Sequence, residues 1–190
     1  MTLSALSLLA VLTAAQEDYA LQMEAYRERI EPSSDQITAE VSIELHRNWK
    51  HARLFTADFV TRSAGAERPL VAELIADPFE LDVPATFVHE GSKIHVLDKF
   101  DWGGVRVDVR ADLRETDIFD EYLARWHWDW EAQDLPGGRS TGVIHAVSAH
   151  ETGIRIDFGS APPDAFLDLI TTLASAGFDS VDIRSDRTSD

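Results

Sequence analysis

The clearest alternation of apolar and polar positions in the chain lies between residues 37 and 46. Every second position is apolar: Ile37, Ala39, Val41, Ile43 and Leu45. Successive side chains of a strand point to opposite faces, so this pattern predicts a strand with one buried face and one face in solvent. Residues 53–61 predict a second strand, whereas residues 68–76 are compatible with either a strand or a short helix.

Short strand-like runs separated by turn residues continue through the middle of the chain. Residues 86–88 and 93–97 flank Glu90-Gly91-Ser92 and predict a β-hairpin. The turn at residues 101–104 then leads into alternating apolar and charged residues at positions 105–110. Three short connections in succession predict an antiparallel meander of neighbouring strands.

The first 31 residues predict an amphipathic helix. Its apolar face repeats at helical spacing through Tyr19, Met23, Tyr26 and Ile30. A second interpretation is a signal peptide, because residues 2–15 form an apolar run of suitable length. No Lys or Arg precedes Arg27, which is atypical of a signal peptide. We therefore favour a native helix in a cytoplasmic protein; cleavage of the apolar run would indicate a periplasmic or secreted protein.

Residues 115–134 hold three of the five tryptophans and seven carboxylates against the single base Arg125. One set of apolar residues has helical spacing: Ile118, Phe119, Tyr122, Leu123, Trp126 and Trp130. This spacing predicts a core-facing helix with Asp117 as its N-cap. Trp128 lies off that apolar stripe, so we expect it toward the flank or the solvent side of the helix.

The last third of the chain predicts a ββαβ unit. A hairpin joins residues 141–149 to residues 154–158. A helix then opens at Ser160 or Ala161 and ends before Gly177, which suits the position just after a helix. A final strand includes Val181 and Ile183.

Together these elements predict one α+β domain with a mostly antiparallel sheet. The N-terminal helix occupies residues 1–31, the α+β domain residues 36–184 and a polar tail residues 185–190. The sheet is covered by the N-terminal helix, the tryptophan-rich helix and the helix of the C-terminal ββαβ unit. A chain of 190 residues is long enough for one well-packed core.

The net charge of −17 narrows the classes of partner. Such a field repels phosphates and anionic lipids, so we expect no binding to nucleic acid or to a membrane surface. It attracts basic proteins and cations. The absence of cysteine removes disulfides, thiolate zinc sites and cysteine nucleophiles. Arginine supplies most of the bases, which indicates a bacterial genome rich in G and C.

The leading functional hypothesis is a non-enzymatic acidic domain that binds a basic protein, as an inhibitor or an immunity-type protein would. Trp128, with Asp129 and Glu131 beside it, combines the aromatic surface and the charge of an interaction hot spot. Trp102 and Asp101, next to two glycines, are further candidates, because an aromatic ring in a turn can stack on a ligand such as a sugar. No motif indicates a cofactor.

The sequence also supports two alternative functions. A small hydrolase or metal-dependent enzyme could use a histidine–carboxylate site made of His127, His145, His150 and Glu151. Regular structure does not bring His145 and His150 to one face, because residues five apart diverge on a strand and on a helix. The other alternative is an exported bacterial protein of unknown role.

Overall fold

The computed structural model describes most of the chain, in residues 2–3, 5–44, 54–80, 84–96, 99–114, 117–126 and 142–185. Its helices are α1 (Ala5–Ile30), α2 (Asp120–Trp126) and α3 (Pro163–Ser175). Its strands are β1 (Thr2–Leu3), β2 (Gln36–Glu44), β3 (Leu54–Arg62), β4 (Leu70–Ala72), β5 (Phe79–Glu80), β6 (Ala85–His89), β7 (Ser92–Val96), β8 (Lys99–Phe100), β9 (Val105–Asp108), β10 (Ala146–His150), β11 (Gly153–Asp157) and β12 (Ser180–Ser185).

A seven-stranded sheet in the order β1-β6-β7-β12-β9-β11-β10 forms the centre of the protein. The pairs β1–β6 and β7–β12 are parallel, and the other pairs in this sheet are antiparallel. A second sheet has the order β2-β3-β4, and β5 pairs with β8. The predicted α+β class with a mostly antiparallel sheet is confirmed.

The hairpins follow the local sequence. Glu90 and Gly91 both have positive φ, 47° and 84°, as the tight turn between β6 and β7 requires. The predicted strands at residues 37–45 and 53–61 form β2 and β3, which pair antiparallel. The ambiguous segment at residues 68–76 contains the short strand β4 and no helix.

The predicted meander is wrong at one point. β9 does not pair with β7, because β12 lies between them, parallel to β7 and antiparallel to β9. After β7 the chain leaves this sheet, and β8 pairs with β5 instead. β12 brings the buried side chains of Val181 and Ile183 to the centre of the sheet. A short connection predicts a reversal of the chain, but it does not determine which strand fills the neighbouring place.

The apolar faces of the helices form much of the core. In α1 the face that includes Tyr19 continues toward the N-terminus through Leu8, Leu12 and Ala15, which are all buried. α1 contacts α3 and β6, whereas α2 contacts α3. No helix in the described ranges combines the length and the hydrophobicity that crossing a bilayer requires.

In the described part of the tryptophan-rich segment, the predicted apolar stripe faces the core. Phe119, Tyr122 and Leu123 are buried, and Trp126 is partly buried. The helix begins at Asp120, so the predicted N-cap, Asp117, lies in the preceding turn, where its carbonyl accepts a hydrogen bond from the Asp120 N–H. Trp128 and Trp130 lie outside the described residues.

Candidate functional site around His145

The most unusual group of side chains in the described structure surrounds His145. Its ring is completely buried, at 0% exposure, between two carboxylates. Nε2 lies 3.0 Å from Oε1 of Glu40, and the two form a hydrogen bond. Nδ1 lies 2.9 Å from Oδ1 of Asp58. That oxygen is off the direction of an N–H bond, so the contact is an ion pair without an aligned hydrogen bond.

The second sheet places both carboxylates. Glu40 on β2 and Asp58 on β3 fall opposite each other in the antiparallel register, between the pairs Ala39–Phe59 and Val41–Ala57. Glu40 has a φ of 50°, which is rare for a residue with a side chain, and the ladder is interrupted there. The backbone N–H of Thr56 donates to the His145 carbonyl at 2.9 Å, which ties β3 to the segment before β10.

Further polar groups fix the buried carboxylate of Asp58. The Tyr19 hydroxyl on α1 donates to its Oδ1 at 3.2 Å, and the Leu74 backbone N–H donates to its Oδ2 at 2.5 Å. Helix α1, the loop at Leu74 and the segment before β10 therefore converge on one buried carboxylate. Such convergence is expected where a buried charge must be compensated.

Gly159 makes room for the imidazole ring. It has a φ of 50°, and a Cβ at this position would overlap the His145 ring. Its N–H donates to Oδ1 of Asp157 at 2.9 Å. Only glycine fits this position, because both the backbone conformation and the close approach of the ring disfavour a side chain.

The electrostatics keep the histidine charged. Burial alone would favour the neutral ring, but the contacts with Asp58 and Glu40 prevail and raise the pKa of His145 to about 10. Burial would likewise raise the pKa of Glu40, but hydrogen bonds from His145 and Ser160 lower it. At neutral pH the centre is a protonated imidazole between two carboxylates. It orients Glu40 and does not accept a proton.

Two nearby carboxyl groups have pKa values raised toward neutral pH. Burial, reinforced by the charge of Asp58, raises the pKa of Asp157 to about 6, although His145 opposes this. Burial and the charge of Asp58 also raise the pKa of Glu73 to about 7. Burial and the charge of Asp157 raise the pKa of the Tyr19 hydroxyl. The cluster therefore holds more negative charge than His145 compensates, and Asp157 and Glu73 are the groups in it that can take up a proton near neutral pH.

An open pocket of about 210 Å³ adjoins this cluster. Its walls come from α1, β2, β3 and the turn before α3: Gln16, Tyr19, Ala20, Met23, Glu24, Arg27, Ala39, Glu40, Phe59, Gly159 and Ser160. Glu40 belongs both to the pocket wall and to the buried cluster, and its side chain is 25% exposed. The pocket thus gives solvent access to the Glu40 carboxylate, which His145 holds in place from the buried side.

The structure places the predicted candidates Trp102 and Asp101 inside the protein. The Trp102 ring is buried against Phe158, with ring centroids 4.8 Å apart, and its Nε1–H donates to the Gly159 carbonyl at 3.1 Å. The Asp101 carboxylate is buried beneath Gly104, whose Cβ position would lie 2.8 Å from it. Trp102 thus contacts Gly159 next to the His145 cluster, and neither Trp102 nor Asp101 presents a surface to a partner.

The other predicted candidates are dispersed or outside the described residues. Trp128, Asp129, Glu131 and His127 lie outside them. Glu151 is exposed in the β10–β11 turn, with Oε1 3.6 Å from Nη1 of Arg114. Within the described ranges no three histidine or acidic side chains are arranged to hold a metal ion.

Among the predicted histidines whose side chains the structure describes, His145 lies between carboxylates, and its partners Glu40 and Asp58 were not predicted. Glu40 is 105 positions away in the sequence. The sequence does carry a signal at Asp58, a single carboxylate in the otherwise uncharged run of residues 54–61. A lone charge inside a strand-like apolar run indicates a buried ion that needs a partner.

A second unusual surface lies at the edge of the small sheet. β4 pairs with β3, which is its only partner among the described strands. Leu70 and Val71 are 67% and 50% exposed, and Ile75 just beyond the strand is 80% exposed. Consecutive strand residues point to opposite faces, so neither face of β4 is covered. We call Leu70, Val71 and Ile75 the apolar edge.

Comparisons with protein-family models, with curated protein sequences and with solved structures give no match to this chain. The two features of the described structure that can indicate a function are the His145 cluster with its pocket and the apolar edge.

Proposed function

We propose that this protein is a non-enzymatic acidic domain that binds a basic protein partner, as an inhibitor or immunity-type protein does. The observation that carries the proposal is the apolar edge on β4. Proteins usually protect an edge strand with charged residues, proline, bulges or a covering element, because its free backbone groups pair readily with another chain. The strand sequence Leu70-Val71-Ala72 contains no charged side chain.

The apolar edge favours a partner that adds an extended segment. Strand addition supplies backbone hydrogen bonds, and alternate side chains of the partner then contact the exposed apolar groups. Contiguous exposed apolar groups on a protein surface mark interaction sites more often than isolated ones do. The support here is local: two adjacent strand residues and Ile75, all exposed on one short stretch of chain.

The charge of the whole chain favours a basic partner. A net charge of −17 attracts a positively charged protein and accelerates its approach. The proposal also includes Trp128, Asp129 and Glu131, whose sequence pattern is typical of a hot spot for such a partner. Trp128→Ala should then weaken binding more than it lowers stability.

The test is a capture experiment with matched baits. Val71→Lys places a positive charge in the apolar edge, whereas Val88→Lys makes the same change at a half-exposed valine of β6 in the other sheet. We expect a basic protein to be captured by the wild type and by the Val88→Lys control. Val71→Lys should lower its affinity at least tenfold, about 1.4 kcal/mol.

Two results would contradict the proposal. In the first, the captured proteins are the same for Val71→Lys and Val88→Lys, which would remove the edge from the interface. In the second, the association rate of the captured partner does not change with ionic strength, although steering by charge must weaken as salt screens it.

A second candidate function, a small hydrolase or metal-dependent enzyme, is favoured by one observation. His145 is grouped with Glu40 and Asp58 next to an open pocket. Elemental analysis of tag-free protein separates the candidates. A stoichiometric metal that is lost in both His145→Gln and His150→Ala would favour the enzyme.

A further inference from the structure

We propose that the pocket between α1 and β2 binds a small organic cation, an amine with an apolar body whose charged nitrogen pairs with the Glu40 carboxylate. This site is separate from the apolar edge, and the proposal does not depend on a protein partner. It combines the open cavity, the fixed carboxylate in its wall and the aromatic and apolar groups around that carboxylate.

Glu40 is held in place before a ligand arrives. His145 Nε2 bonds to its Oε1 from the buried side, and interactions with the side chain and backbone of Ser160 favour its ionised form and lower its pKa. The uncommon backbone conformation of Glu40 interrupts a regular strand pair at this residue. Strained backbone persists where the surrounding structure holds it, and it is frequent at binding sites. A carboxylate fixed in this way loses little conformational entropy when it binds a ligand.

The sign of the charge selects a cation. The protonated His145 compensates one of its two neighbouring carboxylates, Glu40 and Asp58, so one negative charge remains. Asp157 adds negative charge above its pKa of about 6. The base at the rim is Arg27, whose half-exposed guanidinium lies 4.0 Å from Glu24. An anion would approach an uncompensated carboxylate, whereas an ammonium group would neutralise it.

The walls suit the body of an amine. Tyr19 and Phe59 contribute aromatic rings, and Met23 with two alanines contributes aliphatic surface. Aromatic faces attract cations, and the attraction grows where water is excluded. The cavity volume of about 210 Å³ is far larger than the roughly 10–15 Å³ that a cavity needs in order to hold one water molecule. A short alkylammonium or a small aromatic amine is of this size.

The test uses the full chain and three probes of similar size. n-Butylammonium, n-butanol and n-butyrate each contain four carbon atoms in a straight chain, and they carry a positive, a neutral and a negative head group. Isothermal titration calorimetry should show saturable one-to-one binding of butylammonium at fixed ionic strength. Butanol and butyrate should bind at least tenfold more weakly. Equal binding of butylammonium and butanol, or no saturable binding of butylammonium, would overturn the proposal.

Two pairs of variants separate the pocket from the general negative charge. Glu40→Gln should weaken butylammonium binding at least tenfold, and Glu24→Gln at the rim less than threefold. Ala20→Leu fills the pocket from an exposed helical position, and Ala25→Leu makes the same change on α1 outside the pocket. Ala20→Leu should abolish binding and Ala25→Leu should preserve it, which keeps the test decisive even when Glu40→Gln does not fold. Binding that survives in Ala20→Leu would be surface attraction and would refute the site.

Discussion

The charge held on His145 should make the protein lose stability as the pH rises above neutrality. The folded ring has a pKa of about 10, whereas an unperturbed histidine has a pKa of about 6.5. The extra stability is therefore fully present below pH 6.5, and it is lost as the pH rises toward 10. A difference of about 3.5 pH units, at about 1.4 kcal/mol per unit, gives an upper limit of about 5 kcal/mol.

The measurement is urea-induced unfolding at intervals between pH 7 and pH 10, for the wild type and for His145→Gln. The pKa of the neighbouring Glu40 carboxylate is lowered, so Glu40 does not titrate in this window. At pH 7 the variant should be less stable by about 3–5 kcal/mol, because it leaves the buried Asp58 carboxylate without its cation. This deficit should shrink as the pH rises, with a limiting slope of about 1.4 kcal/mol per pH unit.

Nitrogen NMR of the ring provides an independent check, because its chemical shifts report the protonation state directly. A ring that titrates near pH 6.5 would refute the reasoning. Parallel pH profiles for the wild type and His145→Gln would refute it as well, since they would show that no proton is held on the ring of the folded protein.

Three further variants test the surroundings. Asp157→Asn should raise the free energy of unfolding by up to about 3 kcal/mol above pH 6 and should not change it below pH 4. The reason is that the folded pKa of Asp157, about 6, lies about two units above the ordinary value. Thermal melts at pH 4 and pH 8 measure this, and no gain at pH 8 would contradict it. Gly159→Ala should lower the free energy of unfolding in urea by about 2–5 kcal/mol, because the left-handed backbone at this position disfavours a residue with a Cβ and the added Cβ would overlap the His145 ring; a variant as stable as the wild type would contradict the packing. Trp126→Phe removes the 2.8 Å hydrogen bond from Nε1 to Asp168 and should lower the free energy of unfolding by about 1–3 kcal/mol. An unchanged midpoint of urea unfolding would show that this hydrogen bond does not contribute to stability.

Local patterns in the sequence predict the elements well. The alternation near Ile37 reports a strand, and the spacing of Phe166 and Ile170 reports the buried face of α3, because each depends on neighbours within a few residues. The place of β12 between β7 and β9 depends on partners about 75 to 90 positions away. Nothing in the local alternation of β12 carries that information.

The residues of the candidate site were also hard to predict, because their grouping depends on contacts between segments that are distant in the sequence. Trp102 next to two glycines has the sequence of an exposed turn, but the structure buries its ring because Phe158 packs against it and Gly159 accepts its N–H. The grouping of His145 with Glu40 likewise depends on a contact between distant segments. Only Asp58, a charge inside an apolar strand, was visible as an anomaly in the sequence.

The central place of β12 has a consequence for the order of folding. β6 and β7 form a local hairpin, and β9 pairs with β11 on the other side. Among the described strands, these two parts of the sheet are joined only by β12. Until that segment inserts, β7 and β9 each present an open edge to other chains. Contacts between distant segments slow folding. We therefore expect nascent or refolding chains to be most vulnerable to mispairing before β12 inserts, and a chaperone that shields these edges should raise the yield of folded protein.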